Sequence, residues 1–600
     1  MTLRKMSTLR ILSIVGAALF ATPAAAQVSA SAQADRAPVT RIVVFGDSLA
    51  DGGFFLPLSP TIPRDAGSFT TNPDPVAPEV FASRLGIDLL PAYGQPGTNF
   101  AIGGARVTAA NGATIPITAQ VTRFLTANPT FAPTDLVYIQ GGGNDYFAFQ
   151  AGGSRDNAIL TTAATQLAAS VKTIQNAGAQ RIVAMAIQSG GAAGLQLFNQ
   201  TYAAALAANG VNALYFNTDA LFNEIVTNAG SFGITNVTGQ ACTVASSLNC
   251  NRSTLVSPNA NLTYVLADSV HPSGIVQQIQ GQAIASLVQA PEQIAGLRYA
   301  AQAMFRGQRD QVEGPMRGNA TREGSRVAAY ASGAYHYYSS SGTAQRIGIT
   351  ERTFSGIAGL DFAISERSGV GLAAGYTDGD GDFGQGAGDY RVKGWTANGY
   401  ARLGAGPVRL LADGTYGRVN YDGINRRVQL GPAVRNNRGD TDGSYTAARV
   451  TAAADLFTTA GLSIGPDLAA QYERLSIDGY REAATLSTNA TFGRQRLKSI
   501  TARGGLLAHT VPGSTVGFFA RAGYEHEFED DLRAFTITPA GAPISYTTTV
   551  ERADRNYASY AMGVDGRLVG ALSLRAGVSG YALRGDRNSV TAFAGLSAAF

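Results

Sequence analysis

Hydrophobic and polar positions follow two different patterns along the chain, and the change falls near residue 300. Before it, short continuous apolar runs occur at Arg41–Phe45, Leu136–Ile139 and Arg181–Ile187, and residues 158–177 have helical spacing. Apolar runs without polar alternation are typical of strands in a parallel sheet covered on both faces. The first half is therefore predicted to be a three-layered α/β domain, with its site beyond the carboxyl ends of the strands.

After residue 300, about twelve segments of roughly ten residues are separated by turns rich in Gly, Asp, Asn and Arg. They begin near Arg326, Arg352, Gly369, Tyr390, Val408, Ser444, Leu462, Arg496, Val516, Asn556, Leu572 and Asn588. Between Val516 and Phe528, apolar and aromatic side chains alternate with glycine and charged side chains, as expected between lipid and a polar lumen. The strands of a soluble β-sandwich would also show alternating apolar and polar side chains. An even set of long segments that ends on the aromatic Phe600 favours a closed, twelve-stranded antiparallel transmembrane barrel.

Charge supports the same boundary. Residues 27–300 contain 25 charged side chains and residues 301–600 contain 60, so the density of charge roughly doubles. The net charge of the whole chain is only +4, which argues against a nucleic-acid partner bound by bulk charge. No run of 18 or more apolar residues follows residue 26, so no transmembrane helix is predicted.

The N-terminus has the layout of a secretory signal peptide. A basic start is followed by the apolar run Ile11–Phe20 and by the small residues Ala24–Ala26. We predict cleavage after residue 26, with Gln27 as the first mature residue. The alternative is an uncleaved signal anchor, but the apolar run is short for spanning a membrane.

Export would place the two cysteines of the chain, Cys242 and Cys250, outside the reducing cytoplasm. An oxidising compartment permits a small disulfide loop between them. Neither a His nor a further Cys lies nearby to complete a metal site, and no metal is expected.

The stretch Ile275–Gln308 is rich in Ala, Gln, Ile and Leu, and it predicts one helix or two, with Pro291 able to start the second. We expect the part before Pro291 to finish the first domain and the part after it to be a linker that threads the barrel. The predicted division is a signal peptide at 1–26, an α/β domain at 27–290, a linker helix at 291–325 and a barrel at 326–600.

Candidate chemistry lies in four short blocks of the first half. They are Phe45-Gly46-Asp47-Ser48-Leu49, Asn99 to Ala105, Gly141-Gly142-Gly143-Asn144-Asp145, and Asp268-Ser269-Val270-His271-Pro272. Ser48 follows a strand, where a strand-to-helix turn would expose its hydroxyl, although the first block alone would also suit a helix N-cap. Paired glycines let a backbone N–H approach a ligand, and Asn144 offers a side-chain NH₂ donor.

His271 is the strongest candidate for a catalytic base. The other histidines, His336, His509 and His526, belong to the barrel half. Asp268 lies three residues before His271, close enough to accept a hydrogen bond from its Nδ1 and to leave Nε2 facing a nucleophile.

These four blocks, in this order, resemble the GDSL or SGNH hydrolases. The resemblance implies Ser48 as the nucleophile, His271 as the general base and then acid, and Asp268 as the orienting partner of His271. It also implies an oxyanion hole from the Ser48 N–H, the Gly104 N–H and the Asn144 side chain. The chain departs from the family at Ala50, where related proteins often carry Ser, and in lacking an Asn after the glycines that follow Asp51.

The whole of residues 27–600 resembles an autotransporter esterase: a GDSL passenger, a linker helix and a C-terminal twelve-stranded barrel ending in Phe. This resemblance implies an outer-membrane location with the passenger at the cell surface. It also implies an ester substrate (a lipid or a small acyl ester), contact with outer-membrane lipid, and help from the outer-membrane barrel assembly machinery. No cofactor and no nucleic acid are expected.

Other functions of the same triad stay open: a carbohydrate acetylesterase, a phospholipase or an acyltransferase. A non-enzymatic adhesin would predict long repeats, which residues 27–300 do not contain. A porin with an accessory domain is less favoured, because twelve strands and a helix that could plug them leave little room for a channel. The sequence determines neither the acyl-chain length, nor the oligomeric state, nor cleavage of the passenger, nor the role of Asp51.

Overall fold

The computed structural model describes residues 37–94, 96–153, 155–317, 326–459, 461–510, 516–529, 533–550, 554–582 and 587–600. The predicted signal peptide at 1–26 and the end of the predicted linker, 318–325, lie outside the described residues. Within these ranges, no helix combines the length and the apolar character that a membrane-spanning helix needs.

The first domain is built on a parallel sheet of four strands that are neighbours in chain order. Its strands are β1 (Arg41–Phe45), β2 (Asp135–Ile139), β3 (Ile182–Met185) and β4 (Leu214–Phe216). A separate parallel pair is formed by β5 (Asn236–Gln240) and β6 (Tyr264–Leu266). The helices are α1 (Ala77–Arg84), α2 (Ile117–Ala127), α3 (Gly143–Ala151), α4 (Ala158–Asn176), α5 (Ala193–Ala208), α6 (Thr218–Thr227), α7 (Ala260–Thr263) and α8 (Gly274–Met316).

The parallel sheet is covered on both faces, because successive side chains of each strand point to opposite sides. Val43 and Phe45 of β1 pack with the buried faces of α2, α4 and α5. Ile42 and Val44 pack on the other side with α1, α6 and the first half of α8. The predicted three-layered α/β class is confirmed. Because the four strands are parallel, their carboxyl ends lie at one edge of the sheet.

A single helix, α8, connects the two halves of the chain. It runs from Gly274 to Met316 and includes Pro291 and Pro315 in its interior. A proline inside a helix removes one backbone hydrogen bond, so a break at Pro291 was a reasonable alternative from the sequence. The structure has one continuous helix, because its apolar residues on both sides of Pro291 are buried in one core. The exact domain boundaries stay predictions.

The second half is a closed antiparallel barrel, and twelve strands of the described residues form its ring. They are β7 (Val327–Ser340), β8 (Ile349–Ala363), β9 (Gly369–Phe383), β10 (Gly388–Ala405), β11 (Val408–Leu430), β12 (Ala433–Ala454), β14 (Leu462–Ile477), β17 (Gln495–Thr510), β18 (Val516–Glu527), β21 (Asn556–Val569), β22 (Leu572–Ala582) and β23 (Arg587–Ala599). Pairing of β23 with β7 and of β12 with β14 closes the ring. The short strand β13 (Phe457–Thr459) pairs with β14 outside this ring.

Eleven of the twelve predicted strand starts lie within three residues of the observed ones. The exception is β12, which begins at Ala433 rather than near Ser444. Its first eleven residues are mostly polar, and they pair with the end of the long β11 towards the α/β domain. The alternation of β18 is as predicted: Phe518 and Tyr524 are exposed, whereas Arg521 and Glu525 are buried.

The second half of α8 lies inside the barrel and hydrogen-bonds to its wall. Arg306 donates to Glu473 of β14 and to the Tyr557 hydroxyl of β21. Gln311 donates to the Ser355 hydroxyl of β8 at 2.7 Å. These polar side chains of the wall therefore have partners on the helix, as most buried polar groups do.

The end of the barrel that faces the α/β domain carries a four-stranded sheet that contacts this domain. Its strands are β15 (Tyr480–Arg481), β16 (Ala490–Phe492), β19 (Arg533–Pro539) and β20 (Tyr546–Val550). Asn212 of the α/β domain exchanges two 2.8 Å hydrogen bonds with the backbone of Thr547. Nearby, Glu224 pairs with Arg435 at 2.9 Å and accepts from Ser487. The two halves thus share an interface in addition to α8.

Candidate active site

Ser48 lies just beyond the carboxyl end of β1, in a turn closed by a 3.1 Å hydrogen bond from the Ala50 N–H to the Asp47 carbonyl. The expected strand-to-helix turn is wrong for this block, because residues 46–76 form turns and the next helix is α1. The side chain of Ser48 is largely buried, at 9% exposure. The turn nevertheless brings its hydroxyl to the edge of the sheet where the site was expected.

The structure brings His271 and Asp268 to this hydroxyl, although 223 residues separate His271 from Ser48. The Ser48 Oγ and His271 Nε2 atoms are 2.9 Å apart. His271 Nδ1 lies 2.9 Å from Asp268 Oδ2. Both residues belong to the loop between β6 and α8, and Asp268 Oδ1 also accepts from the backbone N–H of His271, which closes the loop tightly.

The Asp268 carboxylate is held ionised by its hydrogen bonds. Burial disfavours its charge, but the His271 ring and the Ser247 N–H outweigh burial and keep the pKa of Asp268 well below its usual range. Asp268 can therefore act as an acceptor that fixes the ring orientation of His271. The Phe69 ring packs against the His271 ring with a centroid distance of 4.9 Å and restricts it from the other side.

Two of the predicted oxyanion donors, Gly104 and Asn144, lie on segments that a hydrogen bond links to each other. Gly104 has a φ of +83°, a conformation that favours glycine, and it follows Gly103 in a loop beside β1. Asn144 lies in the first turn of α3 and donates one amide hydrogen to the Ala105 carbonyl at 3.0 Å, which links it to the Gly104 loop. An NH₂ group carries a second hydrogen, which stays available for a ligand.

Three parts of the site were not predicted from the sequence. Nothing in the sequence indicated that Phe69 belongs to the site, because a single aromatic residue in a loop does not show which residue it contacts. Asp51 stands out in the sequence without a role, because one partner of its carboxylate, the Gly103 N–H, lies 52 positions away along the chain. Ser247, which donates its N–H to Asp268 at 2.7 Å, lies in the segment between the two cysteines.

Cys242 and Cys250 form a disulfide, with their Cα atoms 5.9 Å apart. The loop that they close contains Ser247, whose N–H contacts Asp268. Asn72 donates to the Ser247 and Cys250 carbonyls and ties this loop to the segment that carries Phe69. The disulfide loop is therefore part of the support of Asp268.

The other three histidines lie in the barrel. His336 faces the lumen between Thr591 and Ser355, His509 contacts Asp455, and His526 contacts Asn556. Among the described residues, no cluster of three or more His, Cys, Asp or Glu side chains has the arrangement of a metal site.

A half-buried carboxylate near the site, Glu79, predicts how stability depends on pH. Burial, reinforced by the nearby Asp51 carboxylate, raises the pKa of Glu79 to about 7. The native state then binds more protons than the unfolded state between about pH 4.5 and 7, so stability falls as pH rises through this window.

Replacing Glu79 by Gln should remove this dependence, because Gln is uncharged at every pH and can still accept from the Val76 N–H. We expect Glu79→Gln to stabilise the α/β domain by roughly 1–3 kcal/mol at pH 8 and to have little effect at pH 4.5. Thermal melting of the full chain, followed by its helical circular dichroism at pH 4.5, 6 and 8, measures the difference. A difference that is the same at all three values would contradict the prediction.

Two families match the chain. Residues 42–284 match the GDSL-like Lipase/Acylhydrolase family, and residues 329–579 match the Autotransporter beta-domain family. The chain is 28% identical to Esterase EstA of Pseudomonas aeruginosa, over 92% of this chain and 94% of that protein. It is 22% identical to Lipase 1 of Photorhabdus luminescens, over 90% of this chain and 93% of that protein.

Similar solved structures include the translocator domain of the autotransporter NalP from Neisseria meningitidis, with 12% identity and a TM-score of 0.41. The similarity covers 50% of this chain and 98% of that chain. The transport unit of the autotransporter AIDA-I from Escherichia coli gives 16% identity and a TM-score of 0.36, over 52% of this chain and 99% of that chain.

Proposed function

The chain belongs to the GDSL-like lipase/acylhydrolase family over residues 42–284 and to the autotransporter β-domain family over residues 329–579, and on this premise we propose that Ser48, His271 and Asp268 hydrolyse carboxylic esters through an acyl-enzyme. The α/β passenger is an ester hydrolase, and the barrel places the chain in the outer membrane with the passenger at the cell surface. The acyl-enzyme mechanism and the role of each residue are the proposal.

The observation that carries the proposal is the continuous hydrogen-bonded chain from the Ser48 hydroxyl through His271 to Asp268, with 2.9 Å at each step. Such distances allow a proton to pass from serine to imidazole without rearrangement of the site. The buried Asp268 carboxylate stabilises the imidazolium that this transfer creates.

Acylation begins when Ser48 Oγ forms a bond to the ester carbonyl carbon and its proton moves to His271 Nε2. The carbonyl oxygen becomes an oxyanion, and the Ser48 N–H, the Gly104 N–H and the Asn144 side chain stabilise it by hydrogen bonds. Collapse of this intermediate breaks the bond to the alcohol oxygen, which takes the proton from His271. The alcohol leaves, and the acyl group stays on Ser48.

Deacylation repeats these steps with water. His271 removes a proton from a water molecule as the water oxygen attacks the acyl carbon. The second tetrahedral intermediate collapses, the bond to Ser48 Oγ breaks, and the serine recovers its proton from His271. The carboxylic acid is released and the enzyme returns to its starting state.

Trapping the acyl-enzyme tests the mechanism. We expect a fluorophosphonate to label the purified full chain once, on the peptide that contains Ser48, with complete loss of ester hydrolysis. We also expect a burst of p-nitrophenol, equal in amount to the enzyme, where deacylation limits turnover. Labelling elsewhere, or hydrolysis that survives stoichiometric labelling of Ser48, would reject the proposal. Acyl transfer to added glycerol in place of acid release would instead indicate an acyltransferase.

Several features of the chain remain part of this proposal. They are removal of residues 1–26 as a signal peptide, the division at 27–290, 291–325 and 326–600, and insertion of the barrel by the outer-membrane barrel assembly machinery.

A further inference from the structure

Two buried carboxylates outside the Ser48–His271–Asp268 chain contact the segment that carries Gly104. Asp51 is fully buried, and its Oδ2 accepts the Gly103 N–H at 2.8 Å. Asp145 is 1% exposed, and its Oδ2 accepts the Val107 N–H at 2.9 Å. The two carboxylates therefore hold the segment 103–107 at both of its ends.

Each carboxylate is itself fixed to another part of the site. Asp51 Oδ1 accepts the backbone N–H groups of Gly53 and Phe54, at 2.9 and 2.7 Å, so it belongs rigidly to the turn that follows Ser48. Asp145 is the chain neighbour of Asn144 in the first turn of α3. Asp51 thus joins the Gly104 segment to the Ser48 turn, and Asp145 joins it to Asn144.

We propose that Asp51 and Asp145 are positioning residues of the oxyanion hole, which keep the Gly104 N–H at a fixed place relative to the Ser48 N–H and the Asn144 amide. This inference rests on the proposed function, because it concerns the donors assigned there. Three donors on three separate segments must converge on one oxygen atom, and an error of about 1 Å can cost about 10²-fold in rate. Neither carboxylate contacts the Ser48 or His271 side chain in the described residues, so their effect is exerted through the backbone.

The obvious alternative is that both residues only stabilise the fold. Buried carboxylates that accept backbone N–H groups do so in many loops, and losing one leaves N–H groups without an acceptor. The two roles differ in what they change. Loss of stability reduces the fraction of folded enzyme, whereas displacement of Gly104 weakens binding of the transition state by every folded molecule.

The test replaces each carboxylate by its nearly isosteric amide in the full chain. In Asp51→Asn, either the Gly103 N–H or the pair of N–H groups at Gly53 and Phe54 faces an NH₂ group, which cannot accept a hydrogen bond. In Asp145→Asn, the amide loses one of the two acceptors that bind Val107 and Arg106. We expect kcat to fall about 10- to 100-fold for each variant with little change in KM.

A transition-state analogue provides the readout that a purely structural role would not move. A trifluoromethyl ketone forms a hemiketal with Ser48, and its oxygen occupies the oxyanion position. Its inhibition constant should rise by the same factor as kcat/KM falls, because both report the same stabilisation. Rates are normalised to the enzyme that a fluorophosphonate titrates, so that unfolded molecules are not counted.

Asp135→Asn is the matched control. Asp135 is also buried, accepts the Ala132 N–H and pairs with Arg41, but it lies at the opposite end of β2 from the site. This variant should lower the melting temperature and leave kcat and the inhibition constant of the ketone unchanged.

Wild-type kcat and an unchanged inhibition constant in both Asp51→Asn and Asp145→Asn would overturn the inference. A variant that does not fold also counts against a positioning role for its residue, because the carboxylate then serves the fold. These failures differ from failure of the proposed function, in which Ser48→Ala would retain hydrolysis. An inactive Ser48→Ala with two fully active Asn variants would reject this inference alone.

Discussion

Replacing Ser48 by Ala is expected to lower hydrolysis of a p-nitrophenyl ester by about 10⁴-fold or more. The variant has no hydroxyl to attack the carbonyl, and His271 then has no serine proton to accept. Residual turnover comes only from the oxyanion donors and from substrate binding, as in other triad enzymes that have lost the nucleophile. The rate on washed cells and on purified chain, compared at equal amounts of folded protein, measures the effect.

Display of the passenger should be unaffected, because the barrel strands do not depend on this hydroxyl. Ser170→Ala is a matched control: Ser170 is also largely buried, but its hydroxyl donates to the Gln166 carbonyl within α4, away from the site. We expect Ser170→Ala to retain activity within about twofold, since such a change affects only a local hydrogen bond. Near-normal turnover in Ser48→Ala would reduce Ser48 to a residue of the turn and would reject the mechanism.

Replacing Glu473 by Ala is expected to destabilise the barrel by about 3–5 kcal/mol, because it leaves positive charge in the lumen without a partner. Glu473 is fully buried and accepts from Gln302 at 2.8 Å, from Tyr445 at 2.6 Å and from Arg306. Arg309 lies 3.8 Å away. One carboxylate of β14 therefore holds two arginines of α8 in place.

The measurement is the temperature at which the folded barrel converts to the slower band in a heat-modifiability gel. It should fall for Glu473→Ala and fall less for Glu473→Gln, which keeps an acceptor but not the charge. Asp382→Ala serves as control, because the pair of Asp382 with Arg352 is more than half exposed and should contribute little. Equal conversion temperatures for Glu473→Ala and the parent would show that α8 is held by other contacts.

Local periodicity was sufficient for most of the barrel, and the exception has a clear cause. Alternation between lipid and lumen imposes a period of two on every strand within the membrane, so starts such as those of β9 and β18 could be predicted from the sequence. Where β12 extends beyond the lipid, no apolar solvent acts on its outer face. Residues 433–443 therefore lack the alternation, although they pair with β11, with one irregularity opposite Tyr421–Ile424.

The helix at Pro291 shows the reverse case. A proline predicts a possible break, because it removes one hydrogen bond of the helix. Ala290 and Ile294, on either side of it, are fully buried in one apolar core. Burying the residues on both sides of Pro291 in one core stabilises a continuous helix by more than the missing hydrogen bond destabilises it. The sequence around Pro291 does not show this burial, so it could not decide between one helix and two.

The sequence by itself determined the two patterns of hydrophobic and polar positions and the spacing of the barrel strands. It also determined the order of the four blocks and the residue types that the chemistry needs. Those are local properties, set by side-chain periodicity and by short motifs. Only the tertiary structure decided which groups meet: Ser48 with His271, Asp51 with the Gly103 N–H, and Glu473 with α8. Such contacts join residues 52 to 223 positions apart, and chain folding, rather than any neighbouring residue, determines them.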